Sequence, residues 1–280
     1  MANMKAGFIG FMPFFDPDFD IYKLLESYAK LGYKGFEGGE MLLRGGDPAE
    51  NLKRVKDFGI EPITMGYMKR SFPDGREVSI GEIIENAHKL GVKRITTFMG
   101  IVGGYRFGNL KEPPSYDEVM KELEEYEAAA TACKKEGIDF AFHNHDIELS
   151  LCYKGVPVLY LMAANTENLK FELDVGWCLY GGKDPVKVMR DLGDRLCNSI
   201  HVKDFIAGTV EQKRQDGGVN IMPRFVTPGT GLLDISECLK AASELGVEWA
   251  VLEQDFQYNL SQVETLTASY LIMKETGIVE

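Results

Sequence analysis

The chain is short of histidine, of cysteine and of positive charge, and each shortage excludes something. Only 4 of its 280 residues are histidine, too few for a large histidine-rich metal cluster. The 5 cysteines (Cys133, Cys152, Cys178, Cys197 and Cys238) are odd in number and scattered, with no C-x-x-C spacing. Neither a disulfide framework nor a thiolate zinc site is expected, and reduced thiols point to the cytoplasm. Lysine and arginine total 31 against 43 acids, a net charge of −12. No basic run or stripe offsets that, which argues against nucleic acid and an anionic membrane as natural partners. No stretch approaches the roughly 20 apolar residues of a membrane span. The opening residues, Met1 to Lys5, lack the apolar segment and cleavage site of a signal peptide.

What is present is a regular alternation. A helical run, then glycine, then an apolar residue recurs at Gly32, Gly59, Gly91, Gly137 and Gly246. Glycine just past a helix supplies the left-handed residue that ends it, and a strand follows. Eight strands are predicted on that basis, at 7–11, 35–39, 62–67, 94–99, 139–143, 169–174, 198–203 and 248–253. Most are short and apolar, as strands covered on both faces should be. Helical patterns fall between them, at about 21–31, 49–58, 80–90, 116–135, 156–164, 185–192, 235–245 and 262–276. Repeated β-α units imply a parallel sheet, and eight of them imply an α/β fold with a single (β/α)8 TIM barrel domain over 1–280. With 45% hydrophobic residues the chain can fill such a core. Two long loops, 100–114 and 205–233, are expected at the catalytic end, where loops follow strands.

The segment from Phe140 to Glu148 reads Phe-Ala-Phe-His-Asn-His-Asp-Ile-Glu. It starts as a buried strand, with Phe140 and Phe142 expected to straddle it, and ends in two histidines and two acids. If the strand pattern runs on, His143 and His145 share a face. In a barrel of this kind functional groups project from the C-terminal ends of strands. Strand five ends in His143, with His145 and Glu148 just beyond. Strand six ends in Asp174, strand seven carries His201 and strand eight ends in Glu253. A lone strand histidine is ordinarily a hydrogen-bonded core residue, and a lone strand-end aspartate a cap or turn residue. Four such groups on neighbouring strands are different, because burying them together without a cation costs several kcal/mol. Imidazole and carboxylate suit Mn, Fe, Co, Zn or Mg, and the mixture does not choose among them.

These motifs resemble the xylose-isomerase-like TIM-barrel superfamily, the sugar phosphate isomerase/epimerase group. The pieces that carry the resemblance are His143-Asn144-His145, Leu173-Asp174-Val175-Gly176-Trp177, His201-Val202-Lys203-Asp204 and the segment from Glu248 to Asp255. The resemblance covers essentially the whole chain. It implies one divalent metal ion, manganese favoured, on Glu, Asp, His and Glu from strands five to eight. By position those are His143, Asp174, His201 and Glu253. The first departs from the pattern, with Glu148 the alternative, and Trp177 stands where a histidine is common. The implied chemistry is isomerisation or epimerisation of a keto sugar or polyol through proton abstraction beside a metal-bound carbonyl. A lyase or dehydratase outcome, of the inosose dehydratase or 3-oxo-C-glycoside-cleaving type, is the alternative. An endonuclease IV-like nuclease and a non-catalytic sugar-binding barrel rank lower.

His145 is the expected base, since an ordinary imidazole pKa of about 6.5 suits the task and a nearby cation would depress it and keep the ring neutral; Glu148 is the second choice. Lys203 is read as holding a substrate oxyanion or pairing with Asp174 or Glu253. Glu253 itself is a further catalytic candidate. Trp177, Asp255 and Glu37 are expected to bind substrate, with Glu40 a weaker candidate. Phe11, Phe14, Phe15, Tyr67 and Phe72 are candidate pocket aromatics. Thr227-Pro228-Gly229-Thr230-Gly231 resembles a family loop, and a glycine-rich loop can cradle phosphate. Cys178 is the one candidate nucleophilic thiol. A homo-oligomer is left open.

Overall fold

The computed structural model describes residues 3–11, 20–68, 77–108, 110–214, 217–256 and 260–280. Eight strands close into one parallel barrel: Lys5–Phe8 (β1), Gly35–Glu37 (β2), Glu61–Tyr67 (β3), Arg94–Thr97 (β4), Asp139–His143 (β5), Lys170–Asp174 (β6), Leu196–Val202 (β7) and Trp249–Leu252 (β8). Each pairs with its sequence neighbours, and β1 closes on β8 through Lys5↔Trp249. The expected (β/α)8 fold is borne out. All five junction glycines have positive φ, from 64° at Gly91 to 126° at Gly32, as a helix-ending residue requires.

The helices lie close to expectation because their start signals are strong. Asp47 and Asp184 cap helices that open on proline, accepting from two backbone N–H groups each. Ser115 and Glu118 form a reciprocal capping box on Tyr116–Lys135, which satisfies donors a helix start otherwise leaves bare.

Strand ends are where the reading and the structure part. β1 stops at Phe8, and Gly10 and Phe11 follow with φ of 74° and 57°. β2 stops at Glu37, before Gly38 at φ 86°, and β4 stops short of Met99 at φ 73°. Left-handed residues cannot continue a strand. Phe140 and Phe142 do not straddle β5. Both pack on Tyr126 (centroids 6.4 and 5.6 Å), because residues two apart share a face.

The two long loops carry elements of their own. Ile101–Arg106 is helical. Asp204–Lys213 and Val219–Val226 form an antiparallel hairpin above the end of β7. The large apolar core lies between strands and helices. Inside the barrel, the apolar filling is a small plug of Ile63, Trp249 and Val251. Above it the interior turns polar, with Glu37, Arg94, Glu172, Ser199 and His201 all at or below 2% exposure. That polar layer is the base of the site. Among the described residues no helix is long and apolar enough to cross a membrane.

Candidate active site

Register brings the site together. β6 pairs with β7 so that Asp174 lies beside His201, and β5 pairs with β6 so that His143 lies beside Glu172. Glu253 follows β8 directly. One ligand atom from each of His143, Asp174, His201 and Glu253 lies within 4.8 Å of the others. Glu253 Oε2 is the hub, 3.0 Å from His201 Nδ1 and 3.9 Å from His143 Nε2. Glu148 lies outside this group. It is fully buried, and its Oε2 accepts the His145 backbone N–H at 2.7 Å.

Asp174 serves two purposes, so its role as a cap does not exclude it from the cluster. Its Oδ1 caps the short helix Val175–Tyr180, accepting from Trp177 N at 2.7 Å. Its Oδ2 is buried and makes no hydrogen bond. Burial pushes the carboxyl up to about 7 against the pull of Lys203. Asn144 Oδ1 accepts Asp174 N at 3.0 Å and so ties the end of β5 to the end of β6.

His201 sits between two sets of acids. Its Nδ1 faces Glu253, and its Nε2 lies 3.0 Å from Glu37 Oε2 and 3.4 Å from Glu172 Oε2. Burial works to lower its pKa, but Glu172 and Glu37 outweigh it and hold it well above the ordinary value. Below, Arg94 Nη2 lies 2.7 Å from Glu37 and 2.9 Å from Glu172. The Ser199 hydroxyl donates to the same Glu172 oxygen. Burial and the charge on Glu172 push Glu37 up to about 7. In Glu172 burial also works upward, but Arg94, His201 and His143 overcome it and hold the carboxyl at about 2.

The residues fit a divalent cation. Two imidazoles and two carboxylates form a hard-to-borderline donor set, and Asp174 Oδ2, buried without a hydrogen bond, belongs to it. His201 would ligate through Nδ1 while Nε2–H stays on Glu37, the outer partner that fixes ring and tautomer. Binding would release the second imidazole proton.

Three of the four donors, His143, His201 and Glu253, border a cavity of ≈ 400 Å³ together with His145, Phe98 and Met99, and Asp174 lies buried behind them. β5 ends at His143, so the shared strand face does not extend to His145. The next turn brings the second ring back edge-on, 5.1 Å between centroids. Burial, with Lys203 adding to it, pushes His145 down to about 3. The ring is therefore neutral, as expected beside a cation, with burial rather than charge as the larger cause.

Other expected residues stand elsewhere. Glu37 borders the cavity but is engaged by Arg94 and His201. Glu40 borders it too, with Oε2 accepting Gly66 N. Asp255 borders it and pairs with Lys203 at 2.8 Å. Lys203 and Trp177 are each about 1% exposed or less and lie behind the cavity lining. Phe11 and Tyr67 border neighbouring hollows. Phe14, Phe15 and Phe72 lie outside the described residues. Cys178 is buried and its thiol is pushed up by that burial, the opposite of an activated nucleophile. The glycine-rich loop cradles an anion that belongs to the chain. The Asp204 carboxylate accepts from the backbone N–H of Phe205, Gly229, Gly231, Leu232 and Leu233 at 2.8–3.1 Å. Those amides are not free for a phosphate.

Arg94, Glu172 and Asn144 escaped the sequence reading. Glu172 had a visible signal, since it stands two residues before Asp174 and so on the same strand face. Arg94 opens β4 like an ordinary solvated strand start, and nothing local marks it as buried.

A closed parallel barrel with histidines and carboxylates converging at the C-terminal ends of β5 to β8 defines a (β/α)8-barrel protein with a candidate metal centre. The family model for the xylose isomerase-like TIM barrel matches residues 25–267, and the chain belongs to that family. It is 24% identical over 260 residues to inosose dehydratase from Klebsiella pneumoniae, covering 87% of this chain and 85% of the relative. A sugar phosphate isomerase/epimerase from Parabacteroides distasonis superposes with a TM-score of 0.69 at 22% identity, covering 99% of this chain and 96% of that one. A 3-keto-D-glucoside 4-epimerase from E. coli superposes at 0.67 and 16%, covering 97% and 99%.

Proposed function

We propose that the chain is a divalent-metal-dependent enzyme that removes a proton next to the carbonyl of a keto sugar or polyol, giving isomerisation or epimerisation. The observation that carries this reading is the convergence of His143, Asp174, His201 and Glu253 within 4.8 Å, three of them lining a cavity large enough for a small molecule and Asp174 buried behind. A divalent ion there, with manganese favoured, supplies Lewis acidity that polarises a carbonyl and acidifies the adjacent C–H.

The chain's own residues do the rest. His145 lines the cavity as a neutral ring and accepts the proton at its imidazole. A base with a pKa of about 3 in the free site is weak, but an anion forming beside the ring favours the imidazolium and raises that value during reaction. Glu148 accepts the His145 backbone N–H and so fixes where the ring stands. Glu253, which also lines the cavity, is the second group able to move a proton. Lys203 balances the charge on Glu253 and Asp174. Asp255 presents a carboxylate edge for substrate hydroxyls, and Glu37, with its two oxygens held by Arg94 and His201, supports the base of the site instead. Phe98 and Met99 keep water from one wall.

A dehydratase outcome is the second reading, supported by the inosose dehydratase relatives. It shares the proton abstraction and differs in what leaves next. Incubating the manganese-loaded protein with 3-keto sugars, inososes and ketoses in deuterated water separates the two. Solvent deuterium in a recovered or isomeric sugar supports the first reading, and a dehydrated product supports the second. Absence of both across the panel refutes the proposal.

A further inference from the structure

Lys203 pairs with two of the four donors, Asp174 and Glu253, as its place beside β7 led us to expect. It follows β7 directly, and its side chain is 1% exposed. Its ammonium lies 2.9 Å from Glu253 Oε2, 3.5 Å from Asp174 Oδ2 and 2.8 Å from Asp255 Oδ2. The first oxygen is the hub of the cluster, and the second is its buried carboxylate oxygen without a hydrogen bond. The ammonium cannot easily retreat. The faces of Trp177 and Phe225 stand over it at 5.0 and 5.1 Å, which is attractive in itself. Gly176 crosses so near the Lys203 backbone that a Cβ there would lie 2.7 Å from its carbonyl oxygen.

A fixed monovalent cation and a divalent ion would thus draw on the same two carboxylate oxygens. Inside a protein two like charges a few ångströms apart repel far more strongly than in water. We propose that Lys203 is a built-in competitor of the metal: it neutralises Asp174 and Glu253 when no divalent ion is bound, and it lowers the affinity of the ion that displaces it. Asp255 keeps hold of the ammonium when the other two carboxylates turn to the ion, so Lys203 stays charged and buried in both states. The site is then tuned for an exchangeable ion rather than a permanently locked one. Removing the lysine charge strips Asp174 and Asp255 of the ammonium and leaves Glu253 with the His201 and His143 rings alone, which favours the ion twice over. This inference rests on reading the cluster as a divalent-cation site.

Its test uses manganese(II) alone, with no substrate. Manganese is titrated into the wild type, Lys203→Met and Lys203→Arg, bound ion being read by calorimetry or by loss of the free-ion resonance signal. Lys203→Met is expected to bind at least about tenfold more tightly and to show a larger rise in Tm on adding manganese. Lys203→Arg, which keeps the charge, is expected to stay near the wild type. If Lys203→Met folds only with manganese present, the rate of ion release to a chelator decides: slower than wild type supports the proposal, and equal or faster overturns it. Equal or weaker binding by Lys203→Met, or tightening by Lys203→Arg to the same degree, overturns it while leaving the metal site standing. A wild type that binds no manganese removes both readings together.

Discussion

Asp204→Asn should loosen the base of the hairpin without touching the four-donor cluster. Asp204 is fully buried. Its Oδ1 accepts from the amides of Phe205, Leu232 and Leu233, and its Oδ2 from those of Gly229 and Gly231. Asparagine keeps one accepting oxygen and turns an NH2 group toward the remaining donors. The better orientation retains the three bonds at Oδ1 and sets donor against donor at Gly229 and Gly231. Two hydrogen bonds to a charged acceptor are worth roughly 1.5–3 kcal/mol each. Gly229 is exposed, so water replaces part of its share, and a buried charge is also removed. The net loss should be about 2–3 kcal/mol, a large part of the ~5–15 kcal/mol typical of a folded protein. Two measurements read it: urea unfolding at neutral pH, and hydrogen exchange at the Gly229 and Gly231 amides. Protection there should fall roughly 30- to 150-fold, by the conversion of about 1.4 kcal/mol per decade. A loss under ~0.5 kcal/mol with unchanged exchange would refute the account of the loop as a cradle for this carboxylate.

Three further outcomes are expected. His145→Ala should keep its fold and its manganese but lose substrate C–H exchange by roughly 10²–10⁴-fold; exchange at the wild-type rate would move the base to Glu253. Glu148 is pushed up to about 7 by burial from an ordinary 4.5, so between those values the folded chain holds a proton that the unfolded chain has lost. Stability falls as pH rises through that window. Glu148→Gln should therefore match the wild type near pH 4.5 and exceed it by about 2–3 kcal/mol at pH 8, read by urea unfolding at both; a difference that does not vary with pH would refute it. Gly176→Ala places a Cβ 2.7 Å from the Lys203 carbonyl oxygen and 2.9 Å from its Cβ. Backbone must shift, at roughly 1–3 kcal/mol, and an unchanged Tm would show that the contact relaxes freely.

The β-α order was legible because it rests on local signals: glycines with positive φ ending helices, and aspartate or serine caps starting them. The ends of strands were less so. β1 and β4 are cut short by left-handed residues, and only at Gly10 did a glycine mark the place; Phe11 and Met99 are side-chain-bearing residues at φ 57° and 73°. The hairpin was missed because burial there runs against residue type, with Val219 and Ile221 exposed and Asn220 buried, and because a search confined to β-α units passes over an antiparallel pair. In the site, residues at strand ends could be placed together because a barrel fixes where strand ends go. Their partners could not. Arg94 reaches Glu37 and Asn198 across 57 and 104 residues of chain, and only barrel closure makes them neighbours. A lowered value at His145 was foreseen from a nearby cation, but its sources, burial and Lys203 just past the end of another strand, were beyond reach for the same reason.

The placement of the 2 tryptophans gives the molecule an optical reporter. Trp249 opens β8 at the far end of the barrel, with Lys5 over its ring at 4.9 Å. Trp177 stands 5.0 Å from the Lys203 ammonium and 5.5 Å from the His145 ring. Indole emission responds to the field of nearby charges, so in a Trp249→Phe background the light comes from a single residue held against the catalytic end. A cation arriving among the carboxylates, or a proton arriving on the imidazole, then changes the colour and intensity of that emission, and binding can be followed in real time on the unlabelled chain.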